Sequence, residues 1–148
     1  MQKEQKRQKE LLIMQEDHNL ITKYINAFKK IKSIDGRTIV RLWEQLRDAI
    51  VVEKVRFPKD VARLNSTVIV KNLETNLVMA YTIVLPGEVD KRKNKVSILS
   101  PIGIALIGLK KGLYFSWERL ARKKNHSVLE VYHSPSLERA AMRMRTRH

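Results

Sequence analysis

The hydrophobic periodicity of this 148-residue chain changes once, at Phe57-Pro58, from the 3.6-residue rhythm of helices to the runs and alternations of strands. A chain patterned this way folds as segregated helices and sheet, the α+β class. Residues 1 to about 62 read as helical, and two stripes stand out. Leu20, Ile21, Tyr24, Ile25 and Phe28 share one face of a helix spanning Asn19 to Lys32, with Asp17 or Asn19 as N-cap. Ile39, Leu42, Trp43, Leu46 and Ile50 share a face of a second helix, with Thr38 as capping candidate. The turn Ser33-Ile34-Asp35-Gly36 makes the two a short antiparallel hairpin. Leu11 to Met14 fits a strand or a helical lead-in equally, because four residues are too few for periodicity to decide.

After the switch, strand-like runs cover 66–70, 77–85, 95–98, 113–117 and 127–132. Asn72 to Asn76 supplies turn chemistry, and Pro86-Gly87 opens a charged loop running to Asn94. One helix lies inside this region. Ser100 suits its N-cap, and Pro101 suits the first helical position, where the missing N–H does no harm. The helix is read as running from Pro101 to about Lys110, with Gly112 as its stop. It is apolar on nearly every side and must pack against the sheet. Gly103 and Gly108 fall within it and mark close helix-to-sheet packing; the G-x-x-x-x-G-K-[ST] pattern of a phosphate loop is absent. Pro135 to His148 is a short basic helix or a frayed tail.

Charge constrains partners. Lys and Arg number 30 against 15 Asp and Glu, a net charge of +15, so acidic surfaces and polyanions are the expected neighbours. With no cysteine, disulfides, thiolate nucleophiles and zinc–thiolate sites are all excluded. The charged start, Met1 to Glu10, lacks the apolar core of a secretory signal, and the run Ile102 to Leu109 is too short to span a bilayer. A cytoplasmic address, no membrane association and a monomeric state are the expectations.

The strand region resembles a known family. Val68 to Leu73, Tyr81 to Glu88 and above all Ser-Pro-Ile-x-x-Ala-Leu-Ile-Gly-x-x-x-Gly, from Ser100 to Gly112, are similar to the C-terminal domain shared by the bacterial Gre transcript-cleavage factors and the regulator of nucleoside diphosphate kinase. The resemblance covers about residues 60 to 133. It implies an FKBP-like five-stranded antiparallel sheet with one packed helix, docked on RNA polymerase at the rim of its secondary channel, into which the N-terminal hairpin reaches. Three parts are expected: a helical hairpin over 1–60, the FKBP-like domain over 61–134 and a basic tail over 135–148. Ser100, Pro101, Ile102 and Gly103 would shape the docking end. Lys29, Lys30, Lys32, Asp35 and Arg37 would form the polymerase-contacting hairpin tip.

Within the family, the hairpin is short: Asn19 to Lys32 spans only about 20 Å. Cleavage factors of this kind are thought to hold a metal ion with an acidic pair at the tip, whereas here Asp35 stands alone among cations. Glu44 and Asp48 lie two to three turns down the second helix beside Arg41 and Arg47 and read as surface ion pairs. The expected protein is therefore a non-enzymatic regulator of transcription elongation, without cofactor or metal and without cleavage stimulation; a genuine cleavage factor using Asp35 with Glu44 or Asp48 is the alternative.

His18, His126, His133 and His148 show no ligand spacing, and no G-x-S-x-G elbow is present. Tyr81, Tyr114, Phe115, Trp117 and Tyr132 read as core or sheet face, not as the aromatic pocket of a prolyl isomerase. A rival reading comes from the basic clusters Lys91, Arg92, Lys93 and Lys95, then Arg122, Lys123 and Lys124, then Arg139, Arg143, Arg145 and Arg147. Residues 61–148 carry 16 basic side chains against six acidic ones. Such clusters could hold DNA or RNA phosphates without reading bases.

Overall fold

The computed structural model describes residues 11–28, 36–119 and 122–133. Strand β1 (Leu12–Met14) runs without a loop into helix α1 (Gln15–Phe28); helix α2 (Gly36–Asp48) leads through Ala49 into strand β2 (Ile50–Val52). β1 and β2 pair in parallel, Leu12 opposite Ile50 and Met14 opposite Val52. This decides the open question at Leu11 to Met14 in favour of a strand. It also corrects two expectations. Helix α1 starts at Gln15, so Asp17 lies within its first turn, not at the cap. Helix α2 stops at Asp48, and Ile50, which continues its rhythm, is instead an exposed strand residue. The β-branched run Ile50-Val51-Val52 finds backbone partners in β1, which a further helical turn would forgo.

The larger sheet contains β3 (Ser66–Asn72), β4 (Val78–Val84), β5 (Lys95–Ser97), β6 (Tyr114–Arg119) and β7 (Arg122–His133), in the order β5-β4-β3-β7-β6. Its pairings are antiparallel except that β5 runs parallel to β4, so the expected all-antiparallel sheet is corrected at one edge. The connection over 85–94 turns twice, at Pro86–Glu88 and Lys91–Lys93. Asn94, at φ +52°, then delivers the chain to β5 in the direction of β4. Strand β7 is longer than its apolar run suggests. Its charged start, Arg122 to Lys124, pairs with β6 from Arg119 back to Trp117.

Helix α3 spans Pro101–Leu106, shorter than the expected run to Lys110. Its continuation is drawn away to pair with the segment before β3: Ala62 N–H donates to Leu109 O at 2.8 Å and Gly108 N–H to Ala62 O at 2.9 Å. Gly108 permits this at φ +82°, where an added Cβ would press on Leu11 and Leu12 at 3.1 Å. One continuous core joins the helical pair to the sheet. Ile13, Ile21, Ile25, Leu42 and Leu46 lie in it with Val68, Val70, Ile83, Ile98, Ile104, Leu106 and Val128. Each such side chain contributes about 1.5–3 kcal/mol by leaving water. Among the described residues, no helix is long and apolar enough to cross a membrane.

Candidate functional site

At the first end of the molecule, the Ser100 to Gly103 segment is tightly cross-braced. Gly103 N–H donates to Ser100 Oγ at 3.1 Å, and that hydroxyl donates to Ser97 O at 2.6 Å. Leu99 N–H donates to Ser97 Oγ at 2.9 Å. Ser100 is thus the N-cap that the sequence suggests, and its hydroxyl is fully committed to the fold. Gly103 lies against the Ser97 carbonyl with no room for a Cβ. Of the expected docking residues, Pro101 is exposed, whereas Ile102 and Gly103 are buried. The far end of α3 is closed by Gln45 from α2, whose side-chain amide donates to Ile104 O at 2.7 Å and Ile107 O at 3.4 Å. The sequence carries no signal for this contact, which joins residues about sixty positions apart.

A second assembly forms where α1 meets β3 and β7. The Asp17 carboxylate is buried and accepts a hydrogen bond from Leu64 N–H at 2.9 Å. Burial pushes its pKa up to about 6, although the Leu64 amide and the Arg63 guanidinium pull it partly back. Arg63 donates from Nε to His133 Nδ1 at 3.3 Å and reaches Met14 Sδ at 3.6 Å. Ser66 Oγ lies 2.9 Å from the same His133 nitrogen and accepts from Arg63 N–H at 2.9 Å. A guanidinium only donates, so His133 Nδ1 is an acceptor and the neutral ring carries its proton on Nε2. Burial and the nearby Arg63 charge both lower the His133 pKa, against a raising backbone hydrogen bond at Lys59. This network opens onto a cavity of about 440 Å³ lined by Met14, Lys54, Phe57, Lys59, Arg63, Val131, Tyr132 and His133. Sequence reasoning missed it, because Arg63 and His133 stand seventy positions apart and neither belongs to a motif.

The other expected site residues scatter. Lys29, Lys30, Lys32 and Asp35 lie outside the described residues, as do Arg139, Arg143, Arg145 and Arg147. Arg37 is exposed at the start of α2, beside a groove of about 520 Å³ shared with Gly36, Val40, Arg41 and Glu44. Asp48 pairs with Arg47 at 3.4 Å, as the surface reading expects. Lys91, Arg92 and Lys93 project from one exposed turn and Lys95 begins β5, whereas Arg122, Lys123 and Lys124 belong to β7. Among the described residues, Tyr81, Tyr114, Phe115 and Tyr132 form no common pocket. Phe115 is buried and stacked on His126 with centroids 5.2 Å apart, Tyr81 packs against the core, and Tyr114 and Tyr132 are exposed.

The family model of the GreA/GreB transcription elongation factor C-terminal domain matches residues 57–133, from the periodicity switch to the last residue of β7. The chain belongs to the GreA/GreB family of transcription elongation factors. Transcription elongation factor GreA of Clostridium botulinum is 37% identical over 91 residues, covering 62% of this chain and 56% of that protein. The same-named factor of Syntrophobacter fumaroxidans is 33% identical over 108 residues, covering 73% and 69%. The chain thus spans little more than half the length of the first of these relatives. A solved GreA/GreB transcription elongation factor from Nitrosomonas europaea superposes with a TM-score of 0.68 at 27% identity, covering 84% of this chain and 98% of that one. The Ser100-Pro101 cap and the Gly103 contact lie inside the matched region, and the α+β fold is that of the superposed GreA/GreB factor.

Proposed function

We propose that this chain regulates transcription elongation by binding RNA polymerase at the rim of the secondary channel, as a monomer in the cytoplasm, and that it acts on the polymerase without catalysis of its own. The sheet part, 61–134, would dock through the end bearing Ser100, Pro101, Ile102 and Gly103. The helical part, 1–60, would present Lys29, Lys30, Lys32, Asp35 and Arg37 to the channel, with 135–148 as a basic tail. Family membership supports the polymerase as partner. The observation that supports the subtype is the size of the helical pair: among the described residues α1 has 14 residues and α2 has 13, a reach of about 20 Å. Glu44 and Asp48 sit two or more turns from the start of α2 among Arg37, Arg41 and Arg47, an arrangement that repels a divalent cation. Transcript-cleavage stimulation is therefore not part of the proposal.

Binding to core polymerase near about 0.15 M salt, where weak charge attraction is screened, tests the partner. The Pro101→Glu variant should bind less well, since Pro101 is exposed at a helix start that accepts Glu. Changing Lys29, Lys30 and Lys32 together to Glu should abolish the effect on elongation while leaving docking in place. RNA shortening in a stalled complex that needs Mg²⁺ and is lost on Asp35→Ala with Glu44→Ala would overturn the non-cleaving assignment. Absence of polymerase binding, with steeply salt-dependent binding to bare DNA or RNA, would transfer the function to the basic clusters.

A further inference from the structure

We propose that the cavity between the Lys54–Arg56 turn and the end of β7 binds a nucleoside 5′-polyphosphate group. Its volume of about 440 Å³ falls within the range of small-ligand pockets, roughly 300–1,000 Å³. Lys54, Lys59 and Arg63 line it, and no acidic residue does among the described residues. None of the three has a carboxylate within ion-pair distance among the described residues. Three cations without a direct carboxylate partner among the described residues, around one concavity, match the roughly three negative charges of a nucleoside diphosphate near neutral pH.

Two further features narrow the ligand from an anion to a nucleotide. Phe57 and Tyr132 line the same cavity, Tyr132 exposed and Phe57 half-buried, and offer aromatic surface on which a base can stack. Arg63 is also aimed, not loose. Its Nε is held by His133 and its other contact is the Met14 thioether, both neutral acceptors, so the guanidinium is oriented without losing its charge. Asp17 feels Arg63 electrostatically, but its hydrogen bond goes to the Leu64 amide. The ligand chemistry has two natural sources: a free nucleotide, or the polyphosphorylated 5′ end of an RNA.

Calorimetric titration of the full chain with ADP, adenosine, pyrophosphate and a short 5′-triphosphorylated RNA tests the site. ADP should bind more tightly than adenosine or pyrophosphate alone. Lys54→Ala with Lys59→Ala should weaken ADP binding by about tenfold or more, as expected for lost charge-assisted hydrogen bonds. Tyr132→Ala should weaken ADP but not pyrophosphate. Lys91→Ala with Lys93→Ala, on a separate exposed turn, should change neither. A 5′-triphosphorylated RNA that outcompetes ADP, and loses this advantage with a 5′-hydroxyl, makes the RNA end the source; the reverse makes it the free nucleotide. No ADP binding up to about 1 mM, or equal losses in the Lys91 and Lys93 control, would overturn the site. Pyrophosphate binding as tightly as ADP, with Tyr132→Ala silent, would overturn the nucleoside half of the assignment.

Discussion

The helical pair is fastened to the sheet at two places whose chemistry differs. On the α3 side the fastening is neutral: apolar side chains and the Gln45 amide on two carbonyls, with α3 itself seated on β5 where Gly103 presses on the Ser97 backbone. On the α1 side it is ionisable: buried Asp17 holds the Leu64 amide, and Arg63, Ser66 and His133 share one imidazole nitrogen. The neutral fastening derives its strength from close approach and is indifferent to pH. In the ionisable one, buried Asp17 costs stability at neutral pH, next to Arg63 and His133, which line a cavity.

The sharpest way to break the neutral fastening is Gly103→Ala. The added methyl meets backbone, which cannot rotate away, so a loss of about 3 kcal/mol or more is expected in urea denaturation. The ionisable fastening should respond in the opposite sense. Stability that a protonated Asp17 supplies below its ordinary pKa of 3.8 is lost as pH rises through about 6, roughly 3 kcal/mol in all. Asp17→Asn keeps an acceptor for the Leu64 amide without the buried charge. It should therefore be more stable than the parent at pH 8 by up to about 2 kcal/mol, with the difference closing towards pH 4. His133 works the other way: its lowered pKa contributes stability above about pH 6.5 that falls away as the ring is forced to protonate. Between pH 5 and 7 the two groups act in opposite senses, so Asp17→Asn should shift the slope of stability towards a rise with pH; an unchanged slope would refute the Asp17 contribution.

Smaller effects complete the contrast. Gln45→Ala should cost about 1 kcal/mol or somewhat more, equally at pH 5 and pH 8, because it leaves the Ile104 carbonyl of α3 and the Ile107 carbonyl just beyond it short of a donor. Lys111 and Glu130 pair at 3.0 Å on the exposed sheet surface, and Glu130→Gln should cost less than about 1 kcal/mol and nothing measurable at high salt.

What the sequence discloses follows the range of the interactions. Ser100 and Pro101 act within four residues, and the cap is legible from the string alone. The strand runs from Ser66 and Leu77 are legible because alternation is local, and the resemblance around Ser100 to Gly112 places them in order. Ile50 misleads, since its i+4 spacing from Leu46 satisfies a helix, and only the pairing with β1, nearly forty residues earlier, makes it a strand. The parallel course of β5 depends on Asn94 turning left-handed, which no apolar pattern encodes. Asp17 has the composition of a cap and the position of a buried anchor. Its partner Leu64 is forty-seven residues away, and Arg63 and His133 are farther apart still, so the cavity that they line emerges only when the chain has closed.

The two-stranded clasp at the base of the helical pair carries a mechanical consequence. Because β1 and β2 are parallel, α1 leaves from the C-terminal end of one strand while α2 enters at the N-terminal end of the other. The two helices are therefore tied to opposite ends of one short backbone ladder, and with no loop between Met14 and Gln15 a displacement of α1 passes directly into that ladder.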